Sequence, residues 1–162
     1  MAESRSGAIY YKRARFLTHL PLDRLYTRSH SWLLEVRPGV WRVGLTQFAS
    51  RMLGDVVEFG FSVRGGETVA VGQSAGWIEG FKAVSDIYCV AAGEFLGANP
   101  ALDSDITLID SKPYGGGWLY EVAGAPDPEA VDVKGYVAIL DATIDKMIES
   151  RHDEHNHEEG HE

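Results

Sequence analysis

Lys82 is the residue whose type and setting most clearly suggest chemistry. It lies in residues 77–88 (Trp-Ile-Glu-Gly-Phe-Lys-Ala-Val-Ser-Asp-Ile-Tyr), where an apolar run, a short break and a second apolar run follow one another. This pattern predicts a β-hairpin whose tip presents a single amine to solvent. A lysine displayed in this way suits covalent attachment of a long acyl arm. Such a protein would carry a cofactor and have no catalytic activity of its own.

Amide formation at this position requires a neutral amine that a ligase can reach. A tight turn projects the side chain, and Gly80 permits backbone conformations that other residues resist. The tip also includes Phe81 and Ala83, and the acidic residues Glu79 and Asp86 flank it, where they could guide a ligase with a basic cleft. The local pattern leaves the alternative of an ordinary solvated turn lysine open.

The composition limits the possible partners. The chain has 162 residues and a net charge of −9, which argues against nucleic-acid binding because phosphate contacts need a basic face. No apolar run approaches the roughly 18 residues that a membrane span needs. The single cysteine excludes an internal disulfide and favours a reducing, cytoplasmic location.

Short apolar runs alternate with glycine-containing turns along most of the chain. They predict a mainly β fold, a sandwich or flattened barrel. Residues 46–53 predict a short helix with Thr46 as its N-cap and Gly54 after its end. A longer helix is predicted over residues 127–151, with Asp127 as its cap and apolar residues at helical spacing.

Three segments are expected. Residues 1–19 are predicted to be an N-terminal extension outside the fold, with at most one docked segment at residues 9–11. Residues 20–151 form the β domain with its C-terminal helix. Residues 152–162 are rich in histidine and acidic residues and lack apolar ones, so they are predicted to be a disordered tail.

Four ordered motifs resemble the glycine cleavage H proteins, which are lipoyl carriers related to the lipoyl and biotinyl domains. They are residues 26–32 (Tyr-Thr-Arg-Ser-His-Ser-Trp), 43–49 with 53–55, Glu79 with 82–86 (Lys-Ala-Val-Ser-Asp), and Asn99 and Leu102 with 113–119 (Pro-Tyr-Gly-Gly-Gly-Trp-Leu). The resemblance spans residues 20–148 and implies a barrel-sandwich hybrid fold. It also implies lipoate in amide linkage to Lys82 and a lipoate-protein ligase as a partner.

The hairpin tip departs from the usual family pattern. Gly80 and Phe81 stand where a glycine-cleavage carrier has serine and valine. This departure favours a related branch, the lipoate-binding proteins of sulfur oxidisers, in which the arm shuttles a sulfur intermediate to a heterodisulfide-reductase-like complex. The alternatives are an H protein that carries the aminomethyl group among glycine cleavage enzymes, and an adaptor without lipoate.

Two further residues are candidates for contact with the arm. Cys89 could exchange with the dithiol of the arm, although a cysteine in an apolar run is more often a small buried core residue. His30 could lie near the arm or serve as a structural histidine at the edge of the barrel. The histidines of residues 152–161 lack the fixed geometry that a specific metal site needs, so no metal site is predicted.

Overall fold

The computed structural model describes residues 7–159, with the side chains of residues 7–153. Eleven strands and four helices follow one another within this part of the chain. They are β1 (Ala8–Arg13), β2 (Phe16–Pro21), β3 (Leu25–Tyr26), β4 (Ser31–Arg37), β5 (Val40–Leu45), α1 (Gln47–Leu53), β6 (Val56–Phe61), β7 (Thr68–Val69), β8 (Ser74–Gly80), β9 (Val84–Tyr88), β10 (Ala91–Ala98), α2 (Ala101–Ser104), α3 (Leu108–Ser111), β11 (Tyr120–Pro126) and α4 (Val133–Glu159).

The strands form three antiparallel sheets. The largest has the order β3-β4-β5-β11-β10-β7, a second has the order β6-β8-β9, and β1 pairs with β2 as a separate hairpin. One apolar core contains side chains from both of the larger sheets, including Val43, Ile78, Ile87 and Phe95. The mainly β sandwich with a C-terminal helix agrees with the expectation from the sequence, and its sheets remain open.

A second core lies beneath α4. Tyr26 and Tyr136 stack there with ring centroids 4.7 Å apart, and Leu140 and Ile144 of α4 are buried beside them. This core anchors the C-terminal helix on the larger sheet. None of the described helices is both long and apolar enough to cross a membrane.

The N-terminal segment differs from its expectation. Residues 8–21 form the β1–β2 hairpin, and Leu20 is fully buried in the second core. The hydroxyl of Tyr11 donates to Asp141 of α4 at 2.8 Å, and the Arg13 guanidinium pairs with Asp145. The segment is therefore part of the fold, because α4 supplies the hydrogen-bond and ion-pair partners of Tyr11 and Arg13 and the second core buries Leu20.

Both helices that the sequence predicted are present, but the second has different ends. Thr46 caps α1 by accepting from the Ala49 amide, as expected. Helix α4 begins at Val133, where the Asp132 carboxylate accepts from the Gly135 amide, whereas Asp127 bonds the Glu129 amide in a preceding turn. The helix also continues through residues 152–159, where disorder was expected, because no glycine or proline interrupts it there.

Candidate functional site

Strands β8 and β9 form the hairpin that the sequence predicted around Lys82. Glu79 pairs with Val84 in the antiparallel register, and the Gly80 amide donates to the Ala83 carbonyl at 2.9 Å. Phe81, Lys82 and Ala83 therefore make up the tip, and all three side chains are exposed. Among residues 7–153, Lys82 takes part in no ion pair, so its amine projects freely from the tip.

The backbone of the tip is held against the end of helix α1. The Lys82 amide donates to the Leu53 carbonyl at 2.8 Å, and the Phe81 amide donates to the Asp55 carbonyl at 3.1 Å. We call this contact the tip seat. It positions the first atoms of the lysine side chain while the amine stays exposed.

The tip seat depends on two glycines. A Cβ at Gly80 would lie 2.1 Å from the Leu53 carbonyl oxygen, so any larger residue would push the hairpin away from α1. Gly54 ends α1 with a φ of 74°, and a Cβ there would lie 3.0 Å from Cγ of Lys82. The sequence predicted Gly54 only as a helix stop. Its second role needs a contact between residues 28 positions apart, which local pattern does not reveal.

The acidic neighbours of the tip lie on the outer face of the small sheet. Asp86 is opposite Trp77 in the register and accepts from the hydroxyls of Ser74 and Tyr88, each at 3.3 Å. Glu79 is half-buried two residues along the same face. Phe81 is 79% exposed, so the largest apolar surface of the tip is available for contact with another protein.

An apolar cleft of about 330 Å³ opens beside the tip, between the two larger sheets. One wall consists of residues 83–88, which begin directly after the lysine. The other walls are mostly aliphatic and aromatic side chains, chiefly Val43, Leu45, Phe48, Leu53, Ile78 and Leu119. Asp86 lines the cleft as part of strand β9, but its carboxylate lies on the outer face of the small sheet, and no lysine or arginine is among the described lining residues. We call this space the apolar cleft.

His30 lines the apolar cleft and is hydrogen-bonded to Tyr136, so its position fits both interpretations of the sequence. Its Nδ1 lies 2.9 Å from the hydroxyl of Tyr136, and its ring centroid is 4.7 Å from that of Phe48. Burial lowers the pKa of His30 to about 4, because the interior disfavours the charged imidazolium. The imidazole is therefore neutral at pH 7 and adds no positive charge to the cleft.

Cys89 is placed differently. Its side chain is 1% exposed, belongs to the core between the two larger sheets and does not line the apolar cleft. Burial raises the pKa of its thiol, which disfavours the thiolate that exchange with an arm would need. The structure thus supports the core role. Within the described residues there is no cluster of three or more metal-binding side chains.

Known proteins resemble this chain over most of its length. The glycine cleavage H-protein family model matches residues 24–138. The glycine cleavage system H proteins of Citrobacter koseri and Shewanella baltica are each 34% identical to it over 128 residues, which cover 77% of this chain and 98% of each relative. The crystal structure of such an H protein from Mycobacterium marinum has a TM-score of 0.66 at 36% identity and covers 74% of this chain and 97% of that one.

These similarities support the family and the alternative that the sequence analysis named, glycine cleavage. They give no support to the sulfur-oxidation branch that it favoured. Glycine cleavage H proteins hold lipoate covalently on a lysine and are carriers without catalytic activity of their own. The matched segment includes the tip seat and all the described lining residues of the apolar cleft. The chain belongs to the glycine cleavage H-protein family.

Proposed function

We propose that Lys82 carries the lipoyl group in amide linkage and that the chain moves an aminomethyl group between the enzymes of the glycine cleavage system. The observation that carries this proposal is the tip seat. Three backbone hydrogen bonds fix residues 80–82, whereas the Lys82 side chain is exposed next to an apolar cleft. A fixed base with a free amine is what a swinging arm requires.

The tip also provides surfaces for a lipoate-protein ligase. The exposed Phe81 ring offers an apolar contact, and Glu79 and Asp86 carry negative charge on the neighbouring sheet face. A ligase with a basic cleft would be attracted to this face. Backbone hydrogen bonds hold residues 80–82 in place, so little backbone conformational entropy should be lost when such an enzyme closes around the lysine.

The apolar cleft is the proposed resting place of the arm. Its aliphatic walls suit a saturated carbon chain, and burial would shield the end of the arm from water. The bound lipoyl group supplies a dithiol to which an aminomethyl group can be attached. At pH 7 that amine is positively charged, whereas the described lining residues of the cleft include no lysine or arginine and His30 is neutral. The cleft therefore presents no positive charge that would repel an aminomethyl cargo.

Intact mass spectrometry after incubation with a lipoate-protein ligase, lipoate and ATP tests the attachment. We expect one lipoyl adduct on the wild-type chain and none on Lys82→Arg, which keeps the charge and the exposed position. An adduct that persists in Lys82→Arg would refute the assignment. The absence of any adduct on the wild type would favour an adaptor without lipoate, particularly if partner binding did not depend on Lys82.

The cargo needs a separate test. Lipoylated protein incubated with glycine and a glycine decarboxylase should gain the mass of one aminomethyl group, and should lose it to the aminomethyl-transferring enzyme of the same system. Failure of a fully lipoylated sample to load would contradict the glycine cleavage assignment.

A sulfur cargo is the second candidate, and one observation favours it. Phe81 gives this tip a surface unlike that of the valine usual in the glycine-cleavage carriers that it resembles, and its side chain is 79% exposed. A partner such as a heterodisulfide-reductase-like complex would contact that ring. Lipoylated protein that resists aminomethylation but binds such a complex, with binding weakened by Phe81→Val, would establish this function instead.

A further inference from the structure

A second cleft meets the hairpin tip on the side where the N-terminal hairpin lies. Its volume is about 630 Å³, and it is lined by the β1–β2 turn, helix α1 and residues 144–152 of α4. Its floor is apolar and consists of Phe16, Phe48, Met52, Ile144, Met147 and Ile148. Most of these residues lie outside segment 24–138, so the family match does not account for this space.

The rim of this second cleft is strongly basic. Arg13, Arg15, Arg51 and Arg151 line it together with His152, and no aspartate or glutamate is among its described lining residues. The whole chain has a net charge of −9, so this local cluster of positive charges is opposite in sign to the net charge of the chain. We call this space the cationic cleft.

The four guanidinium groups are not equally available. Arg13 pairs with Asp141 at 3.2 Å and with Asp145 at 2.8 Å, so part of its charge is compensated. Arg51 lies over the Phe16 ring, 5.7 Å from the centroid, and is exposed, as is Arg15. In the described part of the chain, the ion pairs include neither of these two arginines. Arg15 and Arg51 are therefore cations that face the open space, and the exposed Arg151 lies at the same rim.

Lys82 also lines the cationic cleft. Any group attached to its amine consequently starts at the wall of this cleft, and amide formation removes the positive charge of the lysine itself. The apolar floor can accept the carbon chain of an attached arm. The remaining arginines would attract a negative charge at its far end and repel a positive one.

We propose that the cationic cleft is a second binding site for the arm attached to Lys82, occupied when the end of the arm carries an anionic group. This inference rests on the proposed attachment of lipoate at Lys82. The two clefts on either side of the tip then sort the arm by the charge of its cargo. A neutral or cationic end rests in the apolar cleft, whose described lining residues include no lysine or arginine, and an anionic end rests beside Arg15 and Arg51.

A charge-matched pair of arms tests this proposal. The lipoyl group is reduced, and its thiols are alkylated with iodoacetate or with iodoacetamide; each thiolate displaces iodide and forms one S–CH₂ bond. The two products differ in charge and are nearly equal in size. Intact mass spectra confirm that both thiols are modified, and unlipoylated protein treated in parallel reports any reaction at Cys89.

The chain has three methionines, and two of them report on the clefts by methyl NMR. Met147 lines only the cationic cleft, whereas Met52 lines both clefts. We expect both arms to shift the Met52 methyl signal and only the carboxymethyl arm to shift that of Met147. The Met147 shift should shrink as ionic strength rises from about 0.05 M to about 0.5 M, because salt screens exposed charges.

Variants separate charge from shape. Arg15→Gln with Arg51→Gln should strongly reduce the Met147 shift of the carboxymethyl arm, whereas Arg64→Gln with Lys112→Gln, which also removes two positive charges but from positions outside the cleft, should leave it unchanged. Equal Met147 shifts for the two arms, or none for either, would overturn the proposal.

A second attachment makes the test independent of lipoylation. Lys82→Cys alkylated with an ω-bromoalkanoic acid or its amide presents the same choice of charge without a ligase. An anion-dependent Met147 shift here, with no lipoyl adduct on the wild type, would refute the proposed attachment and retain the cleft as an anion site. A lipoyl adduct on the wild type, together with no anion-dependent Met147 shift in the alkylated Lys82→Cys variant, would refute the cleft alone.

Discussion

Replacing Gly80 by alanine should displace the hairpin tip from the end of helix α1. The new Cβ would lie 2.1 Å from the carbonyl oxygen of Leu53, 2.7 Å from its carbonyl carbon and 2.9 Å from the carbonyl oxygen of Gly54. All three are backbone atoms, so no side chain can rotate to make room. Either the helix end or the hairpin must move.

The cost follows from two effects. Overpacking of a close contact costs about 1–3 kcal/mol, and the loss of the hydrogen bond from the Lys82 amide to the Leu53 carbonyl adds about 1 kcal/mol. We expect the free energy of unfolding to fall by about 2–4 kcal/mol. For a domain of this size, that corresponds to a decrease in Tm of roughly 5–15 °C.

Thermal and urea unfolding measure the global effect, and amide hydrogen exchange at Lys82 measures the local one. The Lys82 amide should exchange faster in Gly80→Ala. Gly115→Ala is the matched control, because a Cβ at Gly115 meets no atom within 4 Å and its φ is not in the positive range that strains other residues. Unchanged stability and unchanged Lys82 exchange in Gly80→Ala would show that the tip seat is not as tight as described.

Three further predictions follow from burial. Since the folded protein holds His30 neutral down to about pH 4 while the unfolded chain protonates it near 6.5, stability should decrease as the pH falls through this window. His30→Asn is the control, because asparagine tolerates the φ of 63° and does not titrate. Between pH 6.5 and pH 4 the free energy of unfolding should fall by up to about 3 kcal/mol more in the wild type than in His30→Asn. Equal pH dependence of the two free energies of unfolding, measured by urea titration, would contradict the assignment. Leu20→Ala should destabilise by about 2–5 kcal/mol and Leu17→Ala, 47% exposed on the same hairpin, by much less; similar values would mean that the hairpin does not pack as described. Cys89 should resist a disulfide reagent until the protein unfolds, and rapid reaction in native buffer would place it at the surface.

Much of the site was predictable because its signals are local. The hairpin around Lys82 follows from two apolar runs and a break, and α1 follows from Thr46 and Gly54 at its ends. The resemblance of ordered motifs added the family, which similarity over residues 24–138 confirms. These features need no information about which distant segments meet.

The features that escaped prediction depend on tertiary contacts. Residues 8–21 look like an extension until α4 supplies Asp141 and Asp145 for Tyr11 and Arg13. The start of α4 was misplaced because Asp127 and Asp132 are both plausible caps, and packing of Val133 on the second core decides between them. The cationic cleft combines side chains from residues 13 to 152, so no window of sequence contains it.

The hairpin tip shows how a structure can change the meaning of a substitution. From the sequence, Gly80 and Phe81 together suggested a different cargo. In the structure Gly80 lies against the Leu53 carbonyl, where it is required for packing, so its identity carries no information about what the arm holds. Phe81 is exposed and informs only on the partner surface. If the two clefts act as proposed, the charge of the cargo decides where the end of the arm rests: beside Arg15 and Arg51 when it is anionic, and in the apolar cleft when it is not. The cleft that the loaded arm occupies would therefore distinguish an anionic sulfur species from an aminomethyl group.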